Sequence, residues 1–392
     1  MTTVSGLDAL LSRFFEFRLV RNGVPSHEGP TVATIPDASD CELAILEFDD
    51  QGLCLARQAM KELTAALQRL DGRNPIILVF AHGWKHNAAS SDDNLEHFTN
   101  LLRQTATTEQ TQGGKRPVLG VYAAWRGLSR YGNWFWTQFS FWDRQSAAER
   151  VALGSARELL GRLKAFRNGP AGADGKARAT LVVIGHSFGG LLVYKAVAQS
   201  LIEAAATQEK VVPSFGDLVL LVNPAFSAVS YLPIHEIIKQ ATFDADLLPV
   251  CVSVTAKKDW ATGLAYPAGA LGSLITEAWR DREERQALIN TMGHLSWMRT
   301  HEIAKAAPSA ETRLTAGADR PPQGATLRAL STHDRQATFG QVTVRRLPNL
   351  PPSPFWVASA TPDVVGGHNG IFTPEFIGFV RDLVTAHITK AR

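Results

Sequence analysis

Cysteine is scarce: Cys41, Cys54 and Cys251 are the only three in 392 residues. That is too few for a disulfide framework in so long a chain, and it fits a reducing compartment. None stands at metal-ligand spacing from a histidine or another cysteine. Excess charge is missing as well, with 40 basic against 37 acidic residues and a net charge of +3. So even a balance offers no basic stripe for a nucleic acid. No apolar run reaches the roughly 18 residues of a membrane span. The opening MTTVSGLDALLSRFFEFRLVRNG also lacks the apolar core of a signal peptide. The expectation is a soluble, cytoplasmic protein without a nucleic-acid partner, export by a non-Sec route being left open. Internal repeats and long low-complexity tracts are absent too.

What the chain has is apolar residues, 45% of the total, enough to bury a large core. They fall in short continuous runs separated by helical stretches, the pattern of a mostly parallel sheet covered by helices. FFEFRLV (14–20), ELAILEF (42–48), PIILVFA (75–81), VLGVYAAW (118–125), ATLVVIG (179–185), LVLLVN (218–223), PVCVSVT (249–255) and PFWVASA (354–360) read as strands. LARQAMKELTAALQRL (55–70), residues 144–163 and the stretch after Ser187 read as helices. About a hundred residues separate the last two strands. They hold an Ala/Glu/Arg-rich stretch at 271–307, read as helical, and a hairpin strand, QVTVRRL (341–347). The sheet resumes after them, which predicts one domain over residues 1–392 with a cap-like subdomain inserted at 264–350.

LVVIGHSFGG (181–190) sets Ser187 between Gly185 and Gly189, after a buried strand and before a helix. This is the context of a nucleophile elbow, a tight turn that lifts a serine hydroxyl out of the sheet. The competing reading is a serine in a glycine turn, which the flanking strand and helix disfavour. A hydroxyl needs a base and a group to orient that base, and with this motif the chain order is Ser, acid, His. Asp259, in AKKDWATG, is the only carboxylate between Val250 and Thr276 and follows a strand. The strand ending at Asn223 offers Asn-Pro and no carboxylate, making it the poorer place for the acid. Among His294, His301, His333 and His368, only His368, in TPDVVGGHNG, follows a strand signal, and its glycines would let the loop swing the ring over the elbow. His294 and His301 read as packing or hydrogen-bonding histidines of the insertion.

A developing oxyanion needs fixed donors. The backbone N–H of Phe188 is one candidate, and the loop FAHGWKHN after an earlier strand supplies the other at Trp84, with His82 and Gly83 beside it. His82 and His86 stand four apart, but no carboxylate or cysteine joins them, so no metal site is expected.

AHGW, GHSFGG, Asp259 and His368, in that order, resemble the α/β-hydrolase superfamily and its lipase- and esterase-like serine hydrolases. VYAAWRG, AKKDWATG with its nearby YPAG, and PSPFWVASATPDVVGGHNGIF are similar to segments of bacterial hydrolases of mostly unassigned substrate. The resemblance covers about Pro75 to Phe372. It implies an eight-stranded, mostly parallel sheet flanked by helices, with a helical insertion between its last two strands. It also implies a Ser187–His368–Asp259 triad and neither metal nor organic cofactor. The departure is in spacing: acid and base stand 109 residues apart, longer than usual in the superfamily.

The segment 125–144, WRGLSRYGNWFWTQFSFWDR, carries four of the nine tryptophans, among them Trp125, Trp134 and Trp136. Such a cluster can line an acyl pocket or meet a lipid surface; the plainer alternative is that it packs a helix on the sheet. The expected substrate is a small-molecule or lipid ester, with peripheral membrane contact as an option. A phospholipase toxin or effector and a non-catalytic binding module on the same fold are the other readings, and a thioesterase or amidase would use the same parts.

Overall fold

The computed structural model describes residues 25–84, 86–125, 145–169, 178–207, 215–244, 247–267, 278–307, 327, 330 and 336–390. The strand expected at 14–20 lies outside them. The apolar runs become β1 (Val32–Thr34), β2 (Cys41–Phe48), β3 (Ile76–Ala81), β4 (Val118–Trp125), β5 (Thr180–His186), β6 (Leu218–Val222), β7 (Cys251–Ala256), β8 (His301–Lys305), β9 (Gln336–Phe339), β10 (Val342–Arg346) and β11 (Phe355–Ala360). All belong to one open sheet of 11 strands, in the order β1-β2-β4-β3-β5-β6-β7-β11-β8-β10-β9. From β2 to β8 in that order every neighbour is parallel. Only β1 at one edge and the β10–β9 hairpin at the other run antiparallel.

The central strands are apolar without alternation because helices cover both faces. Every residue of β3, β5, β7 and β11 is buried. Ile77, Val79 and Ala81 of β3 face one way, towards α1 (Arg57–Arg69), α3 (Ser155–Arg167) and α4 (Phe188–Thr207). Ile76, Leu78 and Phe80 face the other, towards α2 (Asp93–Thr111) and α7 (Pro374–Lys390). The shorter α5 (Leu232–Ile238) and α6 (Arg282–Ile289) complete the first of these layers. Among the described residues, no helix is long and apolar enough to cross a membrane.

Two expectations need correcting. The sheet has 11 strands, not eight, and the difference comes chiefly from the insertion. Its described part is not a helical cap: α6 is the one α-helix longer than a turn within 278–307, and HEIAK at its end is β8. Composition misled here, since Ala, Glu and Lys favour helices, but the burial of His301 and Ile303 with Glu302, Ala304 and Lys305 facing out has a period of two. β8 pairs with β11, and the His301 ring stacks on Trp356 at 4.1 Å. The hairpin β9–β10 then extends the same sheet through a turn at Gly340, whose φ is +54°.

Trp356 is the hinge of this extension: buried, stacked on His301, and donating its indole N–H to the Ser353 carbonyl at 3.1 Å. Trp356→Ala is expected to destabilise the whole domain by about 3–5 kcal/mol, read as a lower urea midpoint in one cooperative transition. A separate early transition of the extension would show that it folds apart from the sheet.

Candidate active site

Ser187 follows β5 directly and carries φ +56°, a conformation costing an L-residue about 1–2 kcal/mol. The turn is held against its neighbours: the Ser187 N–H donates to the Val222 carbonyl at 2.9 Å, and the Ser187 carbonyl accepts from Ala225 at 3.2 Å. Close packing explains the glycines. A Cβ on Gly189 would stand 2.0 Å from the Ala81 carbonyl oxygen, and one on Gly83 would stand 2.9 Å from the Ser187 Cβ. The loop after β3 therefore passes directly against the nucleophile, with Trp84 next in line. On the other side Phe188 opens α4, at the positive end of its dipole.

Three side chains converge. Ser187 Oγ lies 2.7 Å from His368 Nε2, and His368 Nδ1 lies 2.9 Å from Asp259 Oδ2. Asp259 follows β7 and His368 follows β11, the strand paired with β7 through six residues. The Asp259 carboxylate is buried, which alone would raise its pKa. The His368 and Thr262 hydrogen bonds outweigh that and hold it below the usual carboxylate value. With the carboxylate ionised, His368 carries its proton on Nδ1 and turns a lone pair on Nε2 to the serine.

Two residues that sequence reasoning passed over hold this geometry. Asn223, at the end of β6, donates from Nδ2 to the carbonyls of Gly367 (3.0 Å) and His368 (2.8 Å) and accepts on Oδ1 from the Ala256 N–H (2.8 Å). It thus ties the acid-bearing strand to the base-bearing loop. His186 donates from Nε2 to the same His368 carbonyl at 2.9 Å. The signal for Asn223 was there: an amide side chain ending a buried strand beside the acid's strand. The loop's glycines do not leave it free to swing. Gly366 N–H bonds the Gly370 carbonyl at 3.0 Å, and Phe372 stacks on His97 of α2 at 4.0 Å.

The remaining candidates are placed differently from expectation. His82 is fully buried, with Nδ1 at 2.8 Å from the Gly83 carbonyl and Nε2 accepting from the Trp125 N–H at 3.1 Å. Trp125 is buried too, and its indole N–H returns to the His82 carbonyl at 2.9 Å. The pair fastens the end of β3 to the end of β4 and gives no polar group to a substrate. His86 sits on Asp92 at 3.2 Å, and Asp92 caps α2. Trp134, Trp136 and His333 lie outside the described residues. His301 belongs to β8, whereas His294 reaches Asp259 through Thr262. Among the described residues, no group of three or more His, Cys, Asp or Glu could hold a metal ion.

No protein-family model matches this chain, and no curated protein or solved structure is significantly similar to it.

Buried neutral histidines give a prediction. Burial pushes His82 and His235 down to about 4 and His186 and His301 down to about 3. Unfolding exposes them to protons at their ordinary value near 6.5. The unfolded state therefore binds more protons, and stability falls as pH drops below about 6.5 towards 4. Each ring contributes up to about 1.4 kcal/mol per pH unit in that window. Urea midpoints measured from pH 7.5 to 4.5 should drop steeply; a flat profile would mean these rings are protonated in the folded protein.

Proposed function

We propose that this chain is a serine hydrolase that cleaves carboxylic esters through an acyl-enzyme, on an α/β-hydrolase fold widened by extra edge strands. The observation that carries the reading is the unbroken chain from Ser187 Oγ through the His368 imidazole to Asp259 Oδ2, at 2.7 and 2.9 Å. Its setting supports it. The chain reverses direction across the sheet at β3, running from there to β4 on one side and from β4 to β5 on the other. Such a reversal opens a crevice at the strand ends, where ligands bind in open α/β sheets. The loop after β3 and the elbow after β5 flank it.

In this reaction Ser187 Oγ attacks the acyl carbon while His368 Nε2 takes the hydroxyl proton. Asp259 stabilises the imidazolium that results. The amides of Phe188 and Trp84 are placed to meet the oxyanion, the first adjoining the nucleophile and the second following Gly83. Collapse of the tetrahedral intermediate breaks the ester C–O bond, and His368 returns the proton to the departing alcohol. Water then repeats the sequence on the acyl-enzyme. None of these steps calls for a cofactor.

An apolar acyl or lipid ester is the favoured substrate on one observation. Trp260, next to Asp259, is 64% exposed, an unusual surface position for so large an apolar ring. Hydrolysis of a long-chain ester in vesicles faster than of its dispersed short-chain analogue would support this; equal rates would remove the lipid preference.

A fluorophosphonate probe should form an adduct on Ser187 of the native protein, mapped by mass spectrometry, and none on Ser187→Ala. His368→Ala should slow labelling by roughly a thousandfold or more. Folded native protein that takes no label would overturn the hydrolase reading. Asn223→Ala should slow labelling by roughly a hundredfold, the effect of an ångström of misplacement, with the fold retained by circular dichroism.

A further inference from the structure

We propose that the hydrogen-bonded chain of the triad continues past Asp259 through Thr262 to His294, and that His294 is a positioning residue that fixes the donor pattern around the carboxylate. The inference rests on the hydrolase reading and extends it by two residues.

The proton count dictates the direction of the chain. Asp259 Oδ1 accepts the backbone N–H groups of Ala261 (3.0 Å) and Thr262 (3.1 Å), while Oδ2 accepts from His368 Nδ1 (2.9 Å) and Thr262 Oγ1 (2.6 Å). An ionised carboxylate only accepts, so the single Thr262 hydroxyl proton must point at Oδ2. That leaves a lone pair on Thr262 Oγ1 for His294 Nε2, 2.9 Å away, which must therefore donate. The sequence of donors runs His294 Nε2–H to Thr262 O–H to Asp259 Oδ2, with His368 Nδ1–H arriving at the same oxygen. Without His294, the hydroxyl is free to rotate towards other acceptors. The carboxylate oxygen that holds the base then loses its second donor.

The local backbone is arranged around this contact. Residues Ala261–Ala265 form a wide π-type turn, a local form that recurs at functional sites. Within it, a Cβ on Gly263 would stand 3.0 Å from His294 Cε1, so glycine makes room for the ring. His294 ends a 3-10 turn, Met292–His294, pressed onto β7: a Cβ on Gly293 would stand 2.0 Å from Thr255 Oγ1. Arg299 pins the turn from behind, donating from Nε to the Gly293 carbonyl at 2.8 Å. The charged groups acting on His294 are Asp259 and Arg299. Burial lowers its pKa most, Asp259 opposes that and Arg299 adds to it, so the ring is held neutral with one proton to give. The insertion thus delivers a side chain to the active site, 35 residues beyond the acid it supports.

The test is the kinetics of fluorophosphonate labelling at Ser187, separated into probe binding and inactivation rate, with thermal midpoints for every variant. Thr262→Val and His294→Ala should each lower the inactivation rate by about tenfold, within the range of couplings between touching residues, and leave probe binding unchanged. The double variant should be no slower than the worse single one. Thr262→Ser and His294→Gln, which keep the hydroxyl and the donor, should restore most of the rate. If Thr262→Val does not fold, His294→Ala against His294→Gln carries the comparison. Native protein that labels while both single variants label at its rate would overturn the extended chain and leave the triad standing. Multiplicative losses in the double variant, or failure of the conservative variants to restore the rate, would also overturn it. Native protein without label overturns the hydrolase reading and this extension together.

Discussion

The side-chain amide of Asn223 is the contact on which the site depends. Acid and base lie 109 residues apart in the chain and must meet at hydrogen-bond distance, which needs a third element that touches both. Asn223 does this with both ends of one amide, its oxygen on the strand that leads to Asp259 and its nitrogen on the loop that carries His368. Its own backbone N–H bonds the Val254 carbonyl at 2.8 Å, so the amide is anchored in the sheet rather than hung from a loop. A carboxylate there could not donate to the two loop carbonyls, and an aliphatic side chain could neither give nor accept. The residue that looked like a poor choice for the acid is thus the right chemistry for a clasp.

Much of this was legible in the sequence because burial on both faces writes itself as continuous apolar runs. The strands from ELAILEF to PFWVASA are where the pattern put them, to within a residue or two, and the turn at Ser187 was marked by its glycines. What was not legible was set by partners distant in sequence. HEIAK looked helical until the pairing with β11 and the stacking on Trp356 overrode local preference. His82 looked available to a substrate because nothing in FAHGWKHN shows that its ring lies under Trp125 and Tyr122. Asn223 and His294 escaped for a common reason. They act on a catalytic group through a carbonyl or a hydroxyl, and such contacts leave no spacing rule in the chain.

The site is dry and largely neutral apart from Asp259. His82 and His186 flank the elbow as buried uncharged rings, each with a fixed backbone partner. Asp259 is the buried anion, and four donors meet its two oxygens. A charge so placed attracts the imidazolium of His368 more strongly than one in water would, because the surroundings screen it less. The strain at Ser187 belongs to the same design, since a turn with φ +56° persists only where packing over-determines it.

The strand that leads to the catalytic base is not at the rim of the sheet. β11 has β7 on one side and β8 on the other, so its backbone is bonded along both flanks. An edge strand frays at little cost, and the loop that follows it frays with it. Releasing His368 by local opening would instead require β11 to leave two ladders at once, an event near the free energy of global unfolding. The extra strands contributed by the insertion act as a buttress: they convert what would be the last strand of the parallel stack into an interior one and give the base a fixed address.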